Sequence, residues 1–557
     1  YATAPGESII QNGTINATDV FDGNKDIDIN ETVVLSGSGT TNADIRIYSN
    51  TTTLGSDFIL NGDFIIYSFP GIFTMTTHAF TVGGSWISAG GRFNCGTGKV
   101  IFNGTNNRTI RTGSAMKIAN FTTVTCPSCC GASVAQGSFY NNICGYYGNY
   151  FYDVDIDMPS DKSISLLREG SIDSLGHFRV LNTLHIKSGT LSTGSNTFVG
   201  RKMRIDNTLI IDEGASLNIG GNSTTESGYG LYTTEMRGDL IVRGTITTTR
   251  GTSNGFADIF LYGARLYGDG DENEINSDFQ IYGTNPTYQQ GDVYINGDLI
   301  ILGEFICNSG KVATIKGNMY VYKTFAHNGT VNVYGNMTSA DRVISGYTFN
   351  LENSVFNFYM NGTSRHLYLN KDPFPFHHVN FISGTGTRGI RQNISVAGNF
   401  VITSGTLDMI NNGLAETSWA DTYGISDASI TLSGSTSSWT NNGTFTPRSG
   451  TVIFSGNGEQ NLGGTTATTF NNLTINKANS SRVMLGNVTT VTNTLALTAG
   501  FIQSNPVNYL KLASGSTVSP EGGKATSFVR GPVRKVGNTD FVFPIGKNNV
   551  WSRAKLI

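Results

Sequence analysis

A short beat that keeps returning constrains this chain more than any other feature. Gly followed by Asp or Asn, and then by alternating aliphatic residues, occurs at Gly62-Asp63-Phe64, Gly238-Asp239-Leu240, Gly297-Asp298-Leu299, Gly317-Asn318-Met319 and Gly335-Asn336-Met337. The last three copies, from Gly297, Gly317 and Gly335, follow one another at a nearly constant interval. Each opens a run such as Leu299-Ile300-Ile301-Leu302, and alternation with a period of two marks a half-buried strand. Gly-Asp and Gly-Asn supply the backbone freedom for a tight corner. A single short strand between corners cannot bury its apolar face alone. Stacking each turn on the one before does bury it, as a continuous ladder of Val, Ile, Leu and Phe. The expected fold is therefore all-β: an elongated, rod-like parallel β-solenoid (β-helix) with almost no helix, in coils of roughly 20–25 residues.

A longer period runs over the beat. The segment from Trp86, WISAGGRFNCGTGKVIFNG, matches the segment from Trp439, WTNNGTFTPRSGTVIFSG, with one residue of slippage. A second signature, Phe-x-x-aliphatic, occurs at Phe121, Phe151, Phe376 and Phe470. A third, Asn182-Thr183-Leu184 through Gly189-Thr190-Leu191, returns at Asn399 through Leu407 and at Asn493 through Ile502. The step from Phe376 to Phe470 equals the step from Gly405 to Gly500 to within one residue. Such a period, ~95 residues, also suits tandem immunoglobulin-like sandwiches. The shorter beat and the shortage of hairpin signals favour the solenoid.

Two regions depart from the pattern. Residues 126–152, CPSCCGASVAQGSFYNNICGYYGNYFY, separate Phe121 from its continuation near Phe151 and read as an inserted Cys/Tyr-rich loop. Residues 521–557 are more basic and read as a terminal cap or the start of a further module, leaving 1–520 for the solenoid. The chain starts at Tyr1 and stops in mid-pattern, which suggests a mature or truncated piece of something longer. Only 14% of residues are charged and the net charge is −3, with basic residues scattered, so nucleic acid is not expected as a partner. No apolar run is long enough to cross a membrane. The apolar share is 38%, including 32 Phe, which supplies a core and argues against disorder.

Three stretches, GTVIFSGNGEQNLGGTTATTFNNLTINKA (450–478), VTNTLALTAGFI (491–502) and FVRGPVRKVGNTDFVFPIGK (528–547), resemble repeats of large, adhesin-like secreted surface proteins of Bacteroidota. The resemblance implies export by the type IX secretion system and an extracellular, cell-surface location. Asp173-Ser174-Leu175 matches the short acceptor pattern for O-glycans in that group, with Ser174 as the acceptor.

The chain has six cysteines, four of them within 126–152. In a secreted protein Cys126, Cys129, Cys130 and Cys144, with Cys95 just upstream, read as disulfide candidates that staple a loop lacking its own core. Four thiolates around zinc is the other reading. Tyr140, Tyr146, Tyr147 and Tyr150 then offer a surface for a ligand or partner, or pack the loop onto the solenoid flank. Asp22, Asn24, Asp26 and Asp28 place oxygens at alternate positions, like the first half of an EF-hand loop. The expected Gly and the distal Glu are missing, so a polar turn entering a strand, with Asp28 facing solvent, explains the pattern equally well. No cofactor is expected unless this stretch holds calcium.

Enzymes on β-helices, polysaccharide lyases and hydrolases among them, need convergent carboxylates. Here the acids are dispersed at corners, the seven His show no metal spacing, and no nucleophile elbow or phosphate loop occurs. The expectation is a non-enzymatic extracellular surface protein: a rod-like adhesin, or a structural subunit of a cell-surface appendage or filament. Its partners would be further copies, other surface subunits, or host, prey or environmental glycans. A polysaccharide-active enzyme is the alternative.

Overall fold

The computed structural model describes residues 8–11 and 26–557, apart from 68–70, 89–90, 113–149, 168–177, 194–202, 221–231, 250–256, 263–264, 269–273, 277, 283–284, 309, 340–348, 361–364, 369–372, 410–427 and 479. Among the described residues there is no helix, and none therefore that could span a membrane. The chain is a parallel β-solenoid. It divides into two compact units, Tyr1–Thr287 and Tyr288–Ile557.

The first unit shows the coil plainly. Strands Phe58–Leu60, Phe64–Ile66 and Ile72–Thr74 form the three sides of one turn. Ala79–Val82, Trp86–Ser88 and Arg92–Asn94 form the next. Each strand pairs in parallel with its counterpart one coil on: Phe58 with Phe80, Phe64 with Trp86, Phe73 with Phe93. The second unit repeats the scheme, with Ile295 beside Ile315, Leu299 beside Met319 and Phe305 beside Phe325. The coils are less regular than the sequence beat. A short coil joins Met319 to its partner Met337, and a much longer one joins Leu217 to Ile246.

Burial alternates along the strands as expected. Ile27, Ile29, Ile45, Ile47, Val331, Val333, Phe356 and Phe358 are buried, while the residues between them face outward. Aromatic residues continue the ladder through the interior. Trp86 meets Phe64 at 4.7 Å, Phe93 at 4.8 Å and Phe151 at 5.2 Å between ring centroids. In the second unit Trp439 meets Phe400 at 4.4 Å, Phe445 at 4.9 Å and Phe470 at 5.3 Å. The two segments aligned on their tryptophans thus fold into the same group, Trp, Phe and the Phe of Phe-x-x-aliphatic. Both copies also carry a register shift just after that Phe, between Phe151 and Asp153 and between Phe470 and Asn472. Burying a side chain of this size stabilises by about 1.5–3 kcal/mol.

The glycines serve two purposes. Gly189, Gly405 and Gly500 of the third signature have φ of 74°, 74° and 80°, in the left-handed region, where a side chain is strained. The Gly-Asp and Gly-Asn glycines are different. None of Gly62, Gly238, Gly317 and Gly335 has positive φ, so backbone freedom is not their role. A Cβ at Gly335 would lie closer than 3.0 Å to the Gly317 carbonyl, and one at Gly317 as close to the Gly297 carbonyl. Glycine is needed because adjacent coils touch there. The acid or amide that follows then ties the coils together. Asp63 Oδ1 accepts from Ser85 N (2.7 Å), Asp298 Oδ1 from Asn318 N (2.6 Å) and Asn318 Oδ1 from Asn336 N (2.9 Å), and Asp44, which follows Ala43, accepts in the same way from Asp63 N (2.7 Å).

Two expected boundaries shift. Val100 pairs with Val154 and Ile110 with Leu166, so the insertion falls within a single coil and makes it far longer than its neighbours. Tyr150–Asp157 is itself a strand, so the extra residues end before Tyr150 and not at 152. Parallel stacking also continues past residue 520: Ile502 pairs with Val529, Leu510 with Val533 and Val529 with Ile545. Among the described residues, antiparallel strand pairing enters with Ile545–Lys547 against Val550–Trp551 and Phe541–Phe543 against Ala554–Leu556, after an isolated antiparallel bridge between Lys524 and Ser527. Buried apolar residues (Phe528, Val529) keep the inward ladder going beyond the expected end.

Replacing Gly335 by Ala should destabilise the second unit by about 1–3 kcal/mol, since the added carbon overpacks backbone that cannot move aside. Gly310 has nothing within 4 Å of a built Cβ, so Gly310→Ala is the matched control and should leave the urea midpoint unchanged. Equal shifts for both variants would show that coil contact is not what Gly335 serves.

Candidate functional site

Of the calcium candidates, Asp22 and Asn24 lie outside the described residues. Asp26 and Asp28 sit on the outward side of strand Asp26–Ile29. Asp26 forms an ion pair with Arg46 of the next coil, which already supplies a cation to that carboxylate. Asp28 is in register with Arg46, and its Oδ1 is buried without a hydrogen-bond partner. Among the described residues no group of three or more His, Cys, Asp or Glu is placed to hold a metal ion. Cys126, Cys129, Cys130 and Cys144, Tyr140, Tyr146 and Tyr147, and Ser174 also lie outside the described residues. Cys95 is half-buried, directly after strand Arg92–Asn94. Tyr150, expected on the loop, starts a strand instead, with the Arg179 guanidinium 5.3 Å from its ring centroid. That contact packs it against the solenoid flank.

The outward face of the second unit carries a site that no sequence motif marks. Ile315, Val333 and Phe358 occupy one inward position in three successive coils. The residues after them, Lys316, Tyr334 and Tyr359, therefore form an outward column. Lys316 Nζ lies 3.7 Å from the Tyr334 ring centroid, and the Tyr334 and Tyr359 rings stack at 4.5 Å with 9° between planes. Tyr294 joins from the preceding coil, its ring 5.5 Å from the same ammonium. Beside this column runs an amide ladder. Asn332 Nδ2 donates to Thr314 Oγ1 (3.0 Å), Asn357 Nδ2 to Asn332 Oδ1 (2.9 Å) and Asn380 Nδ2 to Asn357 Oδ1 (2.8 Å). The column and the three asparagines are half-exposed.

The surroundings shift two groups of the column, Lys316 and Tyr359. Partial burial works against the Lys316 charge, but the Tyr294 and Tyr334 hydroxyls outweigh it and hold its pKa above the ordinary value. Burial raises the pKa of Tyr359, of Tyr320 on strand Met319–Val321 and of Tyr322 just after it. Near neutral pH the surface is thus one ammonium, several phenol O–H groups and a row of amides. It offers hydrogen bonds and aromatic edges at a spacing of about 4.8 Å per coil. It offers no nucleophile with an adjacent base. A series of Tyr at 294, 320, 322, 334 and 359 was visible in the sequence, but uneven coil lengths hid which of them align.

One ionisable group near this face is structural. His327 is buried on strand Thr324–His327. Its Nδ1 accepts the Gly329 N–H (3.1 Å), which leaves Nε2 as the protonated nitrogen, donating to Gln289 Oε1 (3.1 Å). Burial pushes its pKa down from 6.5 to about 4. No protein-family model, curated protein or solved structure matches the chain.

The unfolded chain binds the His327 proton below its ordinary pKa, whereas the folded chain does so only near pH 4. Stability should therefore be highest above about pH 6.5, fall by about 3 kcal/mol as pH drops to about 4, and level off below that. Comparing urea midpoints of the wild type and His327→Gln across this window checks it. The variant should lack that part of the slope, and parallel slopes would contradict the assignment.

Proposed function

We propose that this chain is a non-enzymatic extracellular surface protein that acts as a glycan-binding adhesin. The observation that carries the reading is the outward comb of the second unit, with Lys316, Tyr334 and Tyr359 beside Asn332, Asn357 and Asn380. A ligand lying across successive coils meets an asparagine amide at three levels and a tyrosine at two, which suits a repeating polymer of sugar hydroxyls. Tyr hydroxyls and Asn amides bind such groups without needing a charge on the ligand. The resemblance of 450–478, 491–502 and 528–547 to secreted surface repeats of Bacteroidota supports the extracellular assignment and export by the type IX route.

Binding of the purified chain to a panel of immobilised polysaccharides tests this. At least one glycan should be retained, and the combined Lys316→Ala, Tyr334→Ala and Tyr359→Ala variant should bind it about tenfold or more weakly with its strand content intact. Release of shorter fragments from any glycan would overturn the non-enzymatic reading in favour of a lyase or hydrolase. Retention of no glycan, with self-assembly into filaments under the microscope, would replace the adhesin by the structural-subunit reading.

A further inference from the structure

The last coils of the second unit hold a cleft of about 620 Å³ whose lining includes Gln503, Arg530, Lys547, Asn548, Asn549 and Ser552, with no acidic residue. Its floor comes from three coils in register: Gln503 pairs with Arg530, and Arg530 with Gly546. At the third level the outward position carries no side chain, so nothing from Gly546 covers the arginine. The opposite wall is a hairpin in which Lys547 pairs with Val550. Its two turn residues, Asn548 and Asn549, have φ of 48° and 64°. Positive φ at both central positions is the tight hairpin turn that matches strand twist, and Asn is suited to it. Lys547 is thereby held on a short, well-defined element.

Arg530 lies at the centre of this cleft. Its guanidinium carbon lies 3.6 Å from the Phe501 ring centroid, directly over an aromatic ring. Its Nε is buried without a hydrogen-bond partner, and no acceptor or ion-pair partner for the guanidinium occurs among the described residues. Arg482, its cationic neighbour, is by contrast paired with Glu459. Partial burial and then Arg482 both bear against the Arg530 charge and lower its pKa from the ordinary value. An anion entering the cleft would relieve both effects. A stacked guanidinium with open donors presents a rigid fork that matches a planar carboxylate. The amides of Gln503, Asn548 and Asn549 and the Ser552 hydroxyl around it match sugar hydroxyls rather than apolar groups.

We propose that this cleft binds an acidic sugar, with Arg530 forking onto the carboxylate of a uronate, Lys547 adding a second positive charge, and the surrounding amides holding the ring hydroxyls. The site is separate from the Lys316–Tyr334–Tyr359 column and rests on the adhesin reading only in taking a saccharide as the source of the carboxylate.

Calorimetric titration of the whole chain with glucuronate and with oligogalacturonate tests it, with glucose, inorganic phosphate and poly-glutamate as comparisons. Uronates should bind at least about tenfold more tightly than glucose. Arg530→Ala should weaken uronate binding about tenfold or more. Arg530→Lys should recover only part of the loss, since it keeps the charge but not the fork. Lys547→Ala alters an exposed side chain and should weaken binding without shifting the urea midpoint, which keeps the test valid if Arg530→Ala fails to fold. The column variant should bind the monomer glucuronate as the wild type does, so failure of the comb and failure of the cleft are told apart. Equal binding of glucuronate and glucose, unchanged binding in Lys547→Ala, or preference for poly-glutamate or phosphate over uronate would each overturn the proposal.

Discussion

Contact between successive coils is what the rest of this structure depends on. Parallel strands sit about 4.8 Å apart, and every corner must return the chain to within that distance of the coil before. At Gly317 and Gly335 the two backbones come so close that no Cβ fits between them. The next residue then accepts the N–H of its counterpart one coil later, as Asp298 does from Asn318 and Asn318 from Asn336. The corner glycine N–H groups bond the carbonyl one coil back, and the N–H of the following residue is satisfied by a side-chain oxygen. The glycine and the acid or amide are one device, because the approach that demands glycine also brings the acceptor within reach.

The same closeness propagates to both faces. Inward, it sets side chains of adjacent coils into direct contact, which is why Trp86 and Trp439 each collect phenylalanines from neighbouring strands at 4.4–5.3 Å. Outward, it turns isolated polar residues into columns. Asn332, Asn357 and Asn380 pair through their amides only because stacking places them side by side, and Tyr334 and Tyr359 stack for the same reason. The first unit uses this too, with Tyr48 and Tyr67 stacked at 5.0 Å. A binding surface made this way is inherently periodic. Its spacing comes from the backbone, and its chemistry from whichever residues share an outward position.

Much of the fold was legible because it follows from local pattern. Alternation such as Leu299-Ile300-Ile301 specified strands, the Gly-Asp and Gly-Asn beat specified corners, and the Trp86 and Trp439 segments announced equivalent coils. Where the reading went astray, the cause was register. Tyr150 looked like part of a Cys/Tyr-rich loop because Tyr146 and Tyr147 lie close by, yet its strand partner is Arg179, one whole coil further on. Sequence alone assigns the corner glycines conformational freedom, since it does not reveal how near another coil passes. Residue 521 looked like a boundary because composition changes there, although the inward ladder continues through Phe528 and Val529.

By itself, then, the sequence determined the kind of structure: an all-β solenoid with apolar residues inward, polar residues outward and Gly-Asp or Gly-Asn at corners. Those properties depend on residues a few positions apart, and the chain carries them in its period of two and its beat of about twenty. Only the tertiary structure decided the surfaces. Lys316, Tyr334 and Tyr359 are unevenly spaced along the chain, and so are Gln503, Arg530 and Gly546, so no single interval identifies them. They meet because each coil has its own length, absorbed in corners and loops, while the strands stay in register. Which outward residues become neighbours is fixed by that sum of lengths, and stacking alone carries it out.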